Sequence, residues 1–380
     1  MSIFRRRQHD GVTPDGTPRE DTPDRDSAGP SGLVGSQRQW SDWMGGRTPV
    51  VEPGGRHGVA ELTAQRPGPA SPLPPGQLPS AGLRRLFRWR RPELGVAVDI
   101  PQGGVLADPL NLPPYEPEVV RQVRALIPGP RVVAFINPKG GVHKTTAAVL
   151  TAATFGSLRG PGVLAWDDNE LRGTLGLRAG TARHGRTIKH LLTDLPGLEI
   201  TGGPYPQDLD AYLRHQDDGV FDVLAADEDP KIGRLLTADM VSRLTAAVTR
   251  SHLLVLVDTG NNVDSDNWRT IVDRADQLVV VTLPREDAAF AADWMLEVLV
   301  EDGFEHKVAE AVTVFSTPTA NTDPALLADL TEHFTSRTRA VVRAPYDPVL
   351  EHGGRIEYSA LRPETRDAWV HVAALIAQGL

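Results

Sequence analysis

The segment Val132–Thr146, VVAFINPKGGVHKTT, constrains the fold more strongly than any other part of the chain. It begins with the β-branched and aromatic residues of a buried strand, passes through two adjacent glycines and enters an Ala-rich stretch that favours a helix. A strand that runs through a glycine turn directly into a helix is the repeating unit of parallel α/β sheets. The sequence therefore predicts a sheet of this kind.

The chain after Arg131 repeats this alternation of strand and helix patterns. Strands are predicted at Val132–Asn137, Gly162–Asp167, Phe221–Ala226, Leu253–Asp258, Gln277–Leu283, Ala311–Ser316 and Ala340–Ala344. Helices are predicted at Pro117–Leu126, Lys144–Gly156, Thr187–Asp194, Thr237–Arg250, Asp266–Ala275, Arg285–Glu301, Pro324–Thr338 and Pro363–Gln378. We therefore expect residues 131–380 to form an α/β domain with a mostly parallel, doubly wound sheet.

The glycines of the first segment suit a loop that holds phosphate. Gly140 and Gly141 let the main chain approach an anion without a Cβ in the way. The amides that follow lie at the positive end of the next helix. In this setting Lys144 reaches the β- and γ-phosphates, and the hydroxyl of Thr145 holds Mg²⁺. The alternative is a glycine-containing strand–helix turn that binds no ligand.

Lysine is rare in this chain: it has five lysines among 40 Lys and Arg residues, and Lys139 and Lys144 both lie in this loop. Their spacing fits the pattern K-G-G-x-x-K-T/S. The stricter pattern G-x-x-x-x-G-K-T fails, because Pro138 and His143 replace its outer glycines. The segment resembles the deviant Walker A loop of the ParA/MinD family, a SIMIBI-class group of P-loop ATPases.

The resemblance implies ATP and Mg²⁺ as cofactors and a homodimer that forms on ATP binding, with Lys139 reaching the partner's nucleotide. It implies a nucleotide site formed by the loop and by a C-terminal segment. The residues of that site are Lys139, Gly140, Gly141, Val142, His143, Lys144, Thr145, Thr146, Pro345 and Asp347.

Two positions depart from the family pattern near the nucleotide. The residue before the second lysine of the loop requires a positive φ, which glycine adopts freely and His143 adopts at some cost. The family ends a later strand with an Asn that reads the base, and this chain has Val314–Thr317 there instead. ATP remains the expected nucleotide, with the base selectivity open.

Acidic residues follow two of the predicted strands. Asp167 matches the family aspartate that flanks Mg²⁺, and Asn169 stands where a second aspartate orients the attacking water. An amide can orient water but cannot accept its proton, so hydrolysis is expected to be slow or to depend on a partner. Asp168 or Glu170 is the alternative for this role. The plain interpretation is an acidic strand-to-helix turn.

The run Leu253–Asp258 has the form of a Walker B strand, which delivers one carboxylate to the carboxyl edge of the sheet. Asp258 is expected to bind Mg²⁺ through water, so the metal set is Thr145, Asp167 and Asp258. Thr259–Asn262 resembles the family's second switch, whose amides sense the γ-phosphate. The catalytic set is Lys139, Lys144, Asp167 and Asn169.

Residues 1–80 are rich in Pro, Gly, Ser, Asp and Arg, and are predicted to be a disordered tail. Within it, Gln39–Trp43 is either part of the unstructured tail or a short partner-binding motif. Residues 81–130 read as a basic and aromatic linker, in which Arg84–Arg91 is either a solvated stretch or a contact for DNA or a membrane surface. The chain has no cysteine, no signal-peptide pattern and no apolar run of ~20 residues. We expect a cytoplasmic protein, peripheral at the membrane or nucleoid if those contacts form.

These features predict an ATP-binding, ATP-hydrolysing dimerisation switch that positions or partitions cargo such as a chromosome, a plasmid or a cell-division site. Its activating partner is unknown. Two alternatives stay open. One is an accessory MinD-like ATPase of a type VII secretion or conjugation system, favoured by the long Pro-rich N-terminal part. The other is a nucleotide-responsive binding module with little turnover.

Overall fold

A nine-stranded sheet runs through the protein, whose computed structural model describes residues 96–98, 115–169, 173–180, 185–200, 206–226 and 236–380. In chain order the strands are β1 (Val96–Val98), β2 (Arg131–Ile136), β3 (Val163–Asp168), β4 (Arg214–Gln216), β5 (Phe221–Leu224), β6 (Leu254–Thr259), β7 (Gln277–Thr282), β8 (Val312–Ser316) and β9 (Ala340–Ala344). The predictions for residues 1–80, Gln39–Trp43 and Arg84–Arg91 lie outside the described residues, as does most of the predicted linker at 81–130.

Helices connect most of these strands. Within the same ranges they are α1 (Pro117–Val123), α2 (Lys144–Arg159), α3 (Leu175–Arg178), α4 (Ile188–Ile200), α5 (Pro206–Leu209), α6 (Ala238–Val248), α7 (Asp266–Arg274), α8 (Glu286–Glu301), α9 (Glu305–Ala309), α10 (Pro324–Thr335), α11 (Pro348–Glu351) and α12 (Pro363–Gln378). None of these helices combines the length and the apolar character that a membrane crossing needs.

The strand order places the phosphate-loop segment at the middle of the sheet. Across the sheet the order is β1-β9-β8-β7-β2-β6-β3-β5-β4, and β4 with β5 is the antiparallel pair. The chain moves from β2 to β3 and β5 on one side and later to β7, β8 and β9 on the other. At such a switch point the connections leave in opposite directions and open a crevice at the carboxyl ends of the strands. The loop after β2 lies at that crevice.

The strands form because both faces of the sheet are covered. Ala134 and Ile136 of β2 pack into a core with α6, α7 and α8, whereas Val133 and Phe135 pack into a second core with α2 and α12. Strands buried on both sides need apolar residues at every position rather than at alternate ones. The predicted doubly wound α/β fold is thereby confirmed.

Several elements differ from the sequence prediction, and the short helices α3, α5, α9 and α11 were not predicted. All seven predicted strands are present, but the sheet gains β1 and β4, which have three residues each and are shorter than the runs that identify a strand from sequence. The predicted end of a helix at Asp194 is wrong, because α4 continues through Pro196 to Ile200. Leu191, Leu195 and Leu198 pack on the core across that proline, so packing outweighs its local cost.

Candidate functional site

Asn137 fixes the start of the loop after β2. Its side chain is fully buried. Its amide nitrogen donates to the carbonyl of Val281 on β7 at 2.8 Å, and its amide oxygen accepts a hydrogen bond from the main-chain N–H of Lys139 at 2.9 Å. The loop therefore leaves the sheet in a direction set by a buried polar side chain, a role that the sequence analysis did not assign.

The loop reaches α2 through two residues in the left-handed backbone region. Gly141 has a φ of 77° and His143 a φ of 72°. Glycine adopts this conformation without strain, whereas histidine adopts it at a cost. The positive φ expected at His143 is confirmed. These turns place the loop at the amino end of α2, a helix of 16 residues whose first N–H groups have no partner within the helix.

Lys144 is the first residue of α2 and is held over the loop by oxygen atoms. Its ammonium donates to the carbonyl of Asn137 at 2.9 Å and to the side-chain oxygen of Asn261 at 2.6 Å, and it lies 3.4 Å from the carbonyl of Lys139. Burial lowers the pKa of Lys144 to about 8, and the Asp258 charge opposes that shift. The side chain of Asn261 is a contact that the sequence analysis missed.

Thr145 and Asp258 form the second polar pair of the site. The Thr145 hydroxyl donates to one carboxylate oxygen of Asp258 at 2.6 Å, and the other oxygen, Oδ1, is buried with no hydrogen-bond partner among the described residues. Asp167 and Asp258 are paired neighbours on β3 and β6. Burial raises the pKa of both carboxyls, and the Asp258 charge raises that of Asp167 further. Buried like charges of this kind favour a cation between or beside them.

Asp167 also organises the turn that follows β3. Its oxygens accept hydrogen bonds from the main-chain N–H groups of Asn169 at 3.2 Å and Leu175 at 3.1 Å. A Cβ at Gly173 would collide with the Asp167 carboxylate, so the chain returns to it closely. The structure thus places Asn169 at the carboxyl edge beside Asp167, and its role with the attacking water stays a prediction. The alternative Asp168 is buried there as well, and Glu170 lies outside the described residues.

Lys139 points along the surface to the amino end of α8. Its ammonium lies 2.8 Å from the carboxylate of Asp287, which also accepts two hydrogen bonds from Arg285, at 2.8 Å and 3.1 Å. The hydrogen bond from Lys139 is the main cause that lowers the pKa of Asp287. The sequence analysis did not find Asp287, although its place just after β7 puts it at the same edge as the loop.

The two departures from the family pattern meet in space. The imidazole Nδ1 of His143 lies 2.8 Å from the hydroxyl of Ser316, which ends β8. Burial and the charge of Arg178 on α3 lower the pKa of this imidazole. A neutral imidazole and a hydroxyl therefore occupy the side of the loop where the resemblance implied a base-reading amide.

Asp347 makes hydrogen bonds to the main chain of its own protein. It is buried, and its two carboxylate oxygens accept hydrogen bonds from the main-chain N–H groups of Val349 at 3.0 Å and Arg362 at 2.9 Å. It therefore caps α11 and fixes the segment that follows β9. Pro345 lies in that segment and is partly buried. Their contact with a nucleotide stays a prediction.

Comparison with known proteins gives one curated relative and a group of similar folds. No family model matches the chain. The chain is 25% identical over 265 residues to the ESX-1 secretion-associated protein EspI of Mycobacterium tuberculosis. The match covers 69% of this chain and 39% of that protein, so the chain spans about two fifths of the length of the relative.

Solved structures resemble the fold. The cell division ATPase MinD of Pyrococcus furiosus matches with a TM-score of 0.50 and 18% identity, covering 65% of this chain and 98% of that one. A ParA family ATPase from Chlorobium tepidum TLS matches with a TM-score of 0.48 and 20% identity, covering 58% and 85%. The likeness to MinD shows that this chain shares the fold of that protein.

Proposed function

We propose that this chain binds ATP with Mg²⁺ at residues 139–146 and uses the state of the nucleotide to control the pairing of two copies. The observation that carries the proposal is the position of Lys144. Its ammonium is held over the loop at the carboxyl edge of the sheet, beside the Thr145–Asp258 pair. A buried cation, the amino end of a helix and a carboxylate that lie side by side form a site for a phosphate chain and its metal.

The loop suits a triphosphate. Main-chain N–H groups at the start of α2 lack helical partners, and the exposed Gly140 and Gly141 leave room for phosphate oxygens to approach them. Burial withdraws the ammonium of Lys144 from water and lowers its pKa to about 8. Phosphate oxygens would solvate that charge. In our proposal the same loop binds the β- and γ-phosphates through Lys144.

The residues present also fit Mg²⁺. Asp258 offers a buried oxygen with no hydrogen-bond partner among the described residues, and the Thr145 hydroxyl lies beside it. Hard cations prefer such oxygen ligands together with phosphate oxygens and water. When bound, Mg²⁺ supplies positive charge against the phosphate oxygens. Thr145 and Asp258 would hold it, with Asp167 as their neighbour.

Hydrolysis in this proposal is slow. Asn169 follows Asp167 at the carboxyl edge, and its amide can orient a water molecule but cannot take its proton. Lys139 acts in the pairing of the two copies, in which it reaches the nucleotide bound to the second copy. The cargo of the switch is a chromosome, a plasmid or a division site.

Size-exclusion chromatography with light scattering tests the proposal on the full chain with ATP, with ADP and without nucleotide. We expect a dimer with ATP only. Lys144→Ala should abolish nucleotide binding and the dimer, whereas Lys189→Ala on the exposed surface of α4 should change neither. Failure of the wild-type chain to bind ATP in equilibrium dialysis would remove the proposal.

A second candidate function is favoured by the match to EspI. That protein is secretion-associated, which suits an accessory ATPase of a type VII secretion system. We would purify the full chain and its Lys144→Ala variant from the native host with ATP present. Enrichment of secretion-system proteins with the wild-type chain alone would favour this candidate. Enrichment of DNA or division proteins would favour the first.

A further inference from the structure

Three oxygen atoms take up the hydrogen-bonding capacity of the Lys144 ammonium, which has three N–H donors. Two of them are main-chain carbonyls of the loop itself, that of Asn137 at 2.9 Å and that of Lys139 at 3.4 Å. The third is the side-chain oxygen of Asn261, which lies in the segment after β6, and its distance of 2.6 Å is the shortest of the three. A phosphate oxygen that reaches Lys144 therefore replaces one of these acceptors.

The amide of Asn261 also lies against the glycines of the loop. A Cβ built on Gly140 would lie 3.5 Å from the Nδ2 atom of Asn261, a distance of van der Waals contact. Gly140 is exposed and is one of the two glycines that leave room for phosphate oxygens. With its oxygen on Lys144 and its nitrogen beside Gly140, the amide spans the place where a phosphate would contact both.

Of the three acceptors, the side chain of Asn261 is the one that can leave. The carbonyl of Asn137 is fixed with the start of the loop, because the buried side chain of that residue bonds to Val281 and to the N–H of Lys139. The carbonyl of Lys139 belongs to the same loop. Asn261 is exposed, so rotation about its side-chain bonds takes the amide into water, where it keeps its hydrogen bonds and loses little free energy.

The turn that contains Asn261 holds its shape through other contacts. The side-chain oxygen of Asn262 accepts the N–H of Asp264 at 3.2 Å, and the hydroxyl of Ser265 donates to the carbonyl of Asn262 at 3.0 Å. These bonds do not involve the side chain of Asn261. Its amide can therefore be released, or removed by mutation, while the turn that leads into α7 keeps its path.

We propose that Asn261 is a displaceable latch on Lys144, and that the phosphate chain of a bound nucleotide takes the place of its side-chain oxygen. This inference rests on the function proposed above and adds a regulation of the same site. Nucleotide binds only the fraction of molecules in which the latch is open, so the measured dissociation constant is raised by the inverse of that fraction. Lys144 serves the β-phosphate as well as the γ-phosphate, so the latch opposes ATP and ADP alike.

Titration of the full chain with fluorescent ATP and ADP analogues tests this, with stopped-flow rates for the ADP analogue. For Asn261→Ala we expect both dissociation constants to fall roughly tenfold, the low end of what a hydrogen bond to a charged group contributes. The association rate should rise by the same factor and the dissociation rate should stay unchanged, because the released side chain does not contact the nucleotide.

Two further variants complete the set. Asn261→Asp should bind both nucleotides more weakly than the wild-type chain, since a carboxylate holds an ammonium more strongly than an amide does. Asn321→Ala, in an exposed loop, should leave all the constants unchanged. A merely structural role for Asn261 would not shift the affinities of Asn261→Ala and Asn261→Asp in opposite directions.

The outcomes separate the two proposals. If the wild-type chain binds neither nucleotide, the proposed function fails. If the wild-type chain binds both and Asn261→Ala binds them equally well or more weakly, the function stands and the latch is wrong. A faster dissociation rate in Asn261→Ala would also overturn the latch, since it would make Asn261 a contact of the bound phosphate. Thermal unfolding checks folding, and Asn261→Ser, whose hydroxyl lies one bond short of the amide oxygen, carries the test if Asn261→Ala does not fold.

Discussion

The ammonium of Lys139 lies 2.8 Å from the carboxylate of Asp287 in the same chain. Arg285 donates to the same carboxylate and helps to hold it in place. In the proposed dimer this lysine reaches the nucleotide of the second copy, and it cannot contact both acceptors at once. Asp287 therefore competes with the partner's nucleotide for Lys139.

Replacing Asp287 should favour the dimer. We expect Asp287→Asn to lower the dissociation constant of the ATP-dependent dimer by up to roughly thirtyfold, because each of the two copies gives up one exposed ion pair and each pair contributes about 1 kcal/mol at most. Sedimentation equilibrium with ATP measures this constant. Asp329→Asn, at a partly buried position of α10, is the control and should have no effect.

The effect should depend on Lys139. Lys139→Ala is expected to keep much of the ATP affinity and to lose the dimer, so Asp287→Asn should give no gain in that background. Equal dimerisation of Lys139→Ala and the wild-type chain would contradict the role of Lys139 across the interface. A weaker dimer for Asp287→Asn would show that Asp287 supports the interface.

A second prediction concerns the stability cost of Lys144. Burial lowers its pKa to about 8 from the ordinary 10.5. Between these pH values the unfolded chain binds a proton that the folded chain lacks, so stability rises with pH across this window. Below pH 8 the charged lysine costs the nucleotide-free protein up to about 3 kcal/mol.

Lys144→Met should remove this dependence. We expect the unfolding free energy of Lys144→Met to exceed that of the wild-type chain by the largest amount at pH 7. This excess should shrink as the pH rises from 8 to 10.5. Urea unfolding without nucleotide at several pH values gives these differences. Lys189→Met on the exposed face of α4 should show no such trend. A constant difference across the range would mean that Lys144 is not titrating in this window.

Much of the fold could be predicted from the chain itself. The buried strands of a doubly wound sheet are continuous apolar runs, and all seven such runs became strands. β1 and β4 could not be found, because three residues give too short a pattern and their pairing depends on neighbours distant in sequence. The continuation of α4 beyond Asp194 depends on its packing against the core, which a local sequence pattern does not show.

The candidate site, like the fold, could be predicted only in part. A local motif predicted that Lys144 and Thr145 would stand at the start of a helix. The apolar run that ends in Asp258 predicted that this residue would end a strand. Asn261, Asp287 and Ser316 were not recognised as side-chain partners, because each contacts the loop from more than 100 residues away in sequence. No local spacing encodes such contacts. The topology brings them together at the carboxyl edge of β2.

A third prediction concerns His143. His143→Gly should leave nucleotide affinity unchanged or improve it, since glycine adopts the φ of 72° without strain. The variant also loses the hydrogen bond to Ser316. Ser316→Ala removes that bond and keeps the histidine backbone, so comparing the two variants separates backbone strain from the side-chain contact. Fluorescent ATP-analogue titration measures both. Loss of binding in His143→Gly alone would identify the imidazole as a ligand contact.

The last prediction concerns turnover. Asn169 lies beside Asp167, which accepts the Asn169 main-chain N–H at 3.2 Å, and an amide there cannot take a proton from water. Asn169→Asp would place a carboxylate at this point. We expect steady-state phosphate release to rise by roughly a hundredfold, the low end of what a positioned general base contributes. Asn321→Asp in an exposed loop should leave the rate unchanged. An unchanged rate for Asn169→Asp, with ATP affinity retained, would show that the attacking water is positioned elsewhere in the site.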